Sequence, residues 1–243
     1  MATPQLHIYS DTSKLQEEVC DFIVARASAS ISDHNHFSVG LSGGSVAKIV
    51  SKGLRDRKDI DWSKVHIFYC DERHVSYSSE DSTHGFIQKE LLVHVSPAAV
   101  YSINHSLSVA EAAQDYVAKI RSLYPGDDLP RFDLLLLGMG PDGHTCSLFP
   151  GHPGLLERER VVIPITDSPK PPPSRITLTI PVLNSARCVA VISTGGSKAD
   201  AVKESLEPAS GVEPLPAGRA RPTDGELHWF MDEGAASKLD NKA

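Results

Sequence analysis

The chain has 243 residues and a formal net charge of −7 at pH 7, with 24 Lys and Arg against 31 Asp and Glu. That balance argues against nucleic acid or an anionic membrane as the main partner, since both call for a basic face. Cys20, Cys70, Cys146 and Cys188 are scattered, without a Cys-x-x-Cys or a framework spacing, which argues against a disulfide scaffold or a zinc–thiolate site.

The first residues have no basic segment followed by an apolar one, so no secretory signal is expected. No apolar run approaches the roughly 20 residues needed to span a bilayer. A soluble, reduced, cytoplasmic globular protein is the expectation, and a monomer.

In chain order, residues 6–9 read as a first strand. Asp11 or Thr12 can cap the helix that follows, which carries Leu15, Val19, Phe22 and Ile23 on one face. His34 and His36 stand two apart and could ligate a metal, but no third ligand lies near them in sequence, so the pair reads as a solvated loop. Residues 37–41 are strand-like and lead through Ser42-Gly43-Gly44-Ser45 into a helix beginning at Val46. Residues 65–70 form another strand, ending at Asp71-Glu72-Arg73. A polar loop, a helix near 86–92, a short strand at 100–103 and a helix over 108–123 come next.

Phe132-Asp-Leu-Leu-Leu-Leu137 has the apolar run of a strand buried on both faces. It opens into Gly138-Met-Gly-Pro-Asp-Gly-His-Thr145. Residues 161–165 are a strand, and Pro169 to Pro173 form a stiff extended connection. Residues 175–180 and 187–193 are further strands, the second ending in Thr194-Gly-Gly-Ser-Lys198 and a helix to about Leu206. Residues 207–222 read as a mobile surface loop, 227–231 as a last strand, and 233–239 as a terminal helix. Strands alternating with helices predict an α/β fold over 1–243: one domain, with a mostly parallel sheet and helices on both faces.

Three stretches could carry chemistry. In Ser42-Gly43-Gly44-Ser45, glycines let backbone amides turn toward a ligand at a helix N-terminus, which suits a phosphate. The same stretch, Gly40-Leu-Ser-Gly-Gly44, also matches a Gly-x-Ser-x-Gly nucleophile elbow, which would make Ser42 an esterase nucleophile. The anion reading is preferred, because nothing marks an Asp to orient the histidine such a nucleophile needs. Gly138-x-Gly140-x-x-Gly143 is formally a dinucleotide fingerprint. It lies past the middle of the chain, and Pro141 and Asp142 would remove a donor and set a carboxylate against the pyrophosphate.

Asp142 and His144 instead suit general-base chemistry, with the carboxylate orienting the ring. A capping Asp and a surface His is the plain alternative. Arg73, Arg175 and Lys198 stand at the edges of predicted strands in three separate βα segments, where they could neutralise a phosphate monoester together. Cys146 reads as a small buried residue.

Taken together, Ser42-Gly-Gly-Ser45, Asp71-Glu-Arg73, Gly138 to Gly151, Arg175-Ile-Thr-Leu-Thr179 and Gly195-Gly-Ser-Lys-Ala199 resemble the 6-phosphogluconolactonase family, in order and over nearly the whole chain. The resemblance implies a Rossmann-like sheet of the glucosamine-6-phosphate deaminase type. It implies hydrolysis of 6-phospho-D-glucono-1,5-lactone to 6-phosphogluconate, the second step of the oxidative pentose phosphate pathway, without metal or organic cofactor. Carried over by motif, His144 is the base that activates water and Asp142 positions it. Ser42, Gly43, Gly44, Arg73, Arg175 and Lys198 hold the substrate phosphate. The sister deaminase/isomerase branch resembles the chain too, but carries a Glu seven residues after the Asp, where this sequence has Phe149. A silent sugar-phosphate sensor is the remaining alternative, although binding a phosphate alone needs no Asp-His pair.

Overall fold

A computed structural model describes residues 2–241. The elements run β1 (Pro4–Tyr9), α1 (Thr12–His34), β2 (Phe37–Leu41), α2 (Ser45–Leu54), β3 (Val65–Tyr69), β4 (Asp71–Arg73), α3 (Thr83–Ile87), β5 (Ala99–Val100), α4 (Val109–Leu123) and β6 (Leu134–Gly138). They continue with β7 (Val162–Ile165), β8 (Arg175–Leu178), α5 (Ile180–Ser185), β9 (Cys188–Ser193), α6 (Ala199–Leu206), α7 (Pro216–Arg219) and β10 (Glu226–Asp232). Local signals set several ends. Asp11 accepts from the Lys14 amide to start α1, Asn35 closes it in the left-handed conformation, and Ser108 and Glu111 form a reciprocal capping box on α4.

Seven strands form one sheet in the order β1-β10-β9-β6-β2-β3-β5, every neighbouring pair parallel. Its strands are apolar on both sides, because helices or a second layer cover each face. Side chains alternate in period two. Leu134 and Leu136 join Phe37, Val39, Ile67 and Ala190 in the core under α1 and α2. Leu135 and Leu137 join Phe68, Val189, Trp229 and the α4 residues Tyr116 and Ile120 on the other face.

From the centre, β2 leads outward to β3 and β5, whereas β6 leads the opposite way to β9 and β10. The loops leaving the carboxyl ends of β2 and β6 therefore diverge. Such a reversal of strand order opens a crevice at the sheet edge where α/β folds bind ligands.

Several expectations need correction. The strand predicted at 175–180 is not part of the parallel sheet. β4, β8 and β7 form a separate antiparallel sheet of three strands. The strand ends at Leu178 because Pro181 fits the first turn of α5, which begins at Ile180. The terminal helix predicted over 233–239 is a run of turns. The Asp232 carboxylate accepts from Gly195 N at 2.9 Å and Ala235 N at 2.8 Å, tying the segment to the turn after β9. The loop 207–222 is anchored in its second half, where α7 forms and Ala217 donates its amide to Gly143 O at 3.0 Å. His34 and His36 are not in a free loop either: they flank the end of α1, and the fold brings the buried Asp133 beside them.

Candidate active site

The crevice between the β2 and β6 ends is a cleft of about 180 Å³, lined on one side by Ser42 to Ser45 and on the other by Gly138 to Gly140 and His144. Arg73, Asp71, Cys146, Arg175 and Lys198 complete its walls. Of the eight residues singled out in the sequence, seven meet here. Asp142 lies behind His144.

The phosphate-type turn follows β2 directly. Ser42 donates its amide to Leu136 O at 3.0 Å, which fixes the turn to the central strand. Gly44 is left-handed (φ 65°) at the head of α2, and no side chain caps that helix. Its first amides thus face the cleft with the positive end of the helix dipole behind them. Gly43 packs where a Cβ would lie 2.6 Å from Thr83 Oγ1. Ser42 Oγ and Thr83 Oγ1 are buried here without a hydrogen-bond partner among the described residues. Buried hydroxyls left unpaired are costly, and Ser42, which lines the cleft, could be satisfied by a ligand oxygen. Ser42 also lacks the base that a nucleophile requires.

The turn after β6 is held from within. Gly140 donates to His144 O and Gly143 donates to Gly140 O, both at 2.9 Å, and Thr145 Oγ1 donates to Gly138 O at 2.8 Å. This folds Asp142 onto the imidazole, with Oδ1 2.5 Å from His144 Nδ1. Gly140 has to be glycine, because a Cβ would lie 2.1 Å from the His144 ring. With Nδ1 committed to Asp142, Nε2 is the nitrogen left for chemistry. Burial pushes the His144 pKa down, partly opposed by the Asp142 hydrogen bond and reinforced by a nearby lysine cation, so the ring is neutral near pH 7. Burial pushes Asp142 the other way, but hydrogen bonds from His144 and that lysine outweigh it and hold the carboxyl at about 2.

That lysine is Lys170, which the sequence reading passed over within the Pro-rich connection. Its Nζ lies 2.9 Å from Asp142 Oδ1 and 3.2 Å from His144 Nδ1. The signal available was a lone cation held between prolines, where an extended path has little freedom. Asp71, which the sequence marks only as part of the Asp71-Glu-Arg73 motif, also lines the cleft and accepts from Ser147 Oγ at 2.7 Å.

Arg73 and Arg175 do not come from separate βα segments. They are cross-strand partners in the antiparallel β4–β8 pair. Arg73 donates Nη1 to Asp81 O at 2.7 Å, and the rest of its fork has no hydrogen-bond partner among the described residues. Arg175 is buried, and its Nε and Nη2 donate to Pro172 O, Pro171 O and Lys170 O at 3.0–3.1 Å. It therefore clamps the loop that delivers Lys170, and its Nη1 donates weakly to Ser147 Oγ at 3.5 Å beside Asp71 at the cleft wall. Burial lowers its pKa, opposed by Asp71. Lys198 donates to Met139 O, and burial and Lys170 lower its pKa. Cys146 is buried, with a left-handed backbone at φ 51°.

A family model described as glucosamine-6-phosphate isomerases/6-phosphogluconolactonase matches residues 10–229. The chain belongs to this family. It is 43% identical to the 6-phosphogluconolactonase of Bos taurus and 42% identical to that of Homo sapiens, each match covering 98% of this chain and 96% of the relative. The fold superposes on the 6-phosphogluconolactonase from Trypanosoma cruzi with a TM-score of 0.88 at 25% identity, covering 99% of both chains. The family's name covers two chemistries. Phe149, where the isomerase branch is expected to carry an acid, packs tilted against the His144 ring at 4.8 Å between centroids and lies under Arg175, whose guanidinium carbon is 5.8 Å from its centre. An apolar ring thus covers one side of His144.

Proposed function

We propose that this chain hydrolyses 6-phospho-D-glucono-1,5-lactone to 6-phosphogluconate. The observation that carries the reading is a neutral, carboxylate-held imidazole opening onto the same cleft as an uncapped helix N-terminus and cationic side chains, with Phe149 in place of a second acid.

The substrate phosphate is held by the amides of Ser42 to Ser45, the free part of the Arg73 fork and Lys198, with Ser42 Oγ as a further donor. Arg175 adds positive charge at the cleft wall and holds the Pro-rich connection that carries Lys170. Anchoring at C6 brings the C1 carbonyl toward His144. Nε2 takes a proton from water as the hydroxide equivalent attacks C1. The tetrahedral oxyanion collapses with cleavage of the C1–O5 bond, and the imidazolium returns its proton to O5 as the ring opens. One base, used once in each direction, suffices for an activated cyclic ester. Asp142 keeps Nδ1 protonated and stabilises the transient imidazolium. Lys170, beside both, opposes build-up of positive charge on the ring and so keeps the base free between turnovers. Positioning by the phosphate accounts for several kcal/mol of barrier lowering.

The test is to give the purified chain freshly generated lactone and, separately, glucosamine 6-phosphate. Rapid proton release from the lactone without ammonia from the amino sugar is expected. Ammonia release without lactone turnover would overturn the reading in favour of the isomerase chemistry, and tight binding of 6-phosphogluconate with no turnover of either would leave a sensor.

A further inference from the structure

At the opposite edge of the sheet from the cleft, three potential metal ligands converge. A ring nitrogen of His34, one of His36 and a carboxylate oxygen of Asp133 all lie within 4.8 Å of one another. His34 ends α1, His36 enters β2, and Asp133 enters β6. Because β2 and β6 are parallel neighbours, both ligand-bearing segments start at the same sheet edge. A five-residue strand, about 15 Å long, separates them from the cleft.

The spacing already suits a tetrahedral ion. His34 Nε2 lies 3.1 Å from Asp133 Oδ1. Two ligands bound at about 2.0–2.1 Å to a tetrahedral zinc stand about 3.3 Å apart.

The outer contacts are an independent observation. Metal-binding histidines characteristically donate their second ring nitrogen to a carboxylate or a backbone carbonyl, which fixes tautomer and orientation. His34 Nδ1 lies 3.1 Å from Asp33 Oδ2, and His36 Nδ1 lies 3.2 Å from His34 O. The Asp133 carboxylate is oriented as well: its Oδ2 accepts from Ser38 N at 2.8 Å and Ser38 Oγ at 2.7 Å, and that hydroxyl meets Tyr124 OH. Oδ1 is the oxygen turned to His34 Nε2. Among the described residues it also meets Arg187 Nε at 3.4 Å, on a half-exposed side chain.

We propose that His34, His36 and Asp133 form a binding site for one zinc ion, with water at the fourth position. Two imidazoles and one carboxylate suit zinc better than calcium or magnesium, which prefer all-oxygen sets. A zinc ion between His34 Nε2 and Asp133 Oδ1 pins the end of α1 to the starts of β2 and β6. The site is structural, because the cleft is at the other end of the strands.

The test is isothermal titration of zinc chloride into the EDTA-treated full chain, alongside His36→Gln, His34→Gln and His144→Asn. One equivalent should bind to the unaltered chain and to His144→Asn, with at least tenfold weaker binding in both other variants. Zinc should also raise Tm in the unaltered chain and not in His36→Gln. Cobalt(II) in place of zinc should give the visible bands of a four-coordinate site, which tests the geometry without any substitution. Absence of saturable binding, a six-coordinate cobalt spectrum, or binding lost only in His144→Asn would overturn the proposal.

Discussion

His144 has two neighbours that act on its basicity in opposite senses: the Asp142 carboxylate favours its protonated form, and the Lys170 ammonium disfavours it. Burial, the largest influence, also disfavours the charged ring, so its pKa lies below the ordinary 6.5. A base works only when unprotonated. The acid limb of the kcat/KM profile should therefore fall below pH 6.5. Lys170→Met removes a cation that resists protonation and should move that limb to higher pH. A limb that stays put or moves lower would contradict the role given to Lys170. Arg73 belongs to the same scale. Its free fork should make charge-assisted hydrogen bonds worth about 1.5–3 kcal/mol to a phosphate. Arg73→Ala should raise KM roughly 10- to 100-fold with kcat little changed, as steady-state kinetics would reveal.

The turn from Gly138 to Thr145 depends on a partner far away in sequence. Gly143 is left-handed at φ 77°, and a Cβ there would lie 2.4 Å from Leu215 Cδ1. Gly151 is also left-handed, at φ 73°, but faces open space. Both Gly→Ala variants should lose about 1–3 kcal/mol in urea unfolding from backbone strain. Only Gly143→Ala should also lower kcat, by about tenfold or more, because Leu215 must displace the turn that carries the base.

At this scale the sequence was readable where structure is local. A buried strand running into glycines marks the turns after β2 and β6, and Ser108 with Glu111 marks the start of α4. It was not readable where the partner is distant. Arg73 pairs with Arg175 across an antiparallel ladder, and nothing near either residue signals that the chain changes sheets at Cys70. Lys170 depends on the path of a Pro-rich segment, and its place beside His144 follows from Arg175 gripping three carbonyls of that segment. The run 233–239 has helical composition, yet Asp232 spends its carboxylate on Gly195 and Ala235. His34 and His36 gain Asp133 as a neighbour only because β6 pairs with β2.

Over the whole molecule, the central sheet is covered on both faces, and strand order reverses between β2 and β6. Leu134 and Leu135 point into opposite cores, and both are fully buried. Leu134→Ala and Leu135→Ala should each cost about 2–5 kcal/mol by urea denaturation. A near-neutral value for either would mean that one face is open. The same reversal separates the two halves of the proposed site: the Ser42–Ser45 turn lies on the β2 side, and His144, proposed as the base, lies on the β6 side. Binding and chemistry should therefore come apart on substitution. The most direct test is His144→Asn, assayed for lactone hydrolysis and, by calorimetry, for 6-phosphogluconate binding. A kcat lower by about 10²–10⁴-fold with Kd within a few-fold of the unaltered chain is expected. Unchanged turnover, or loss of binding in parallel with loss of turnover in a folded variant, would contradict the assignment of His144 as the base.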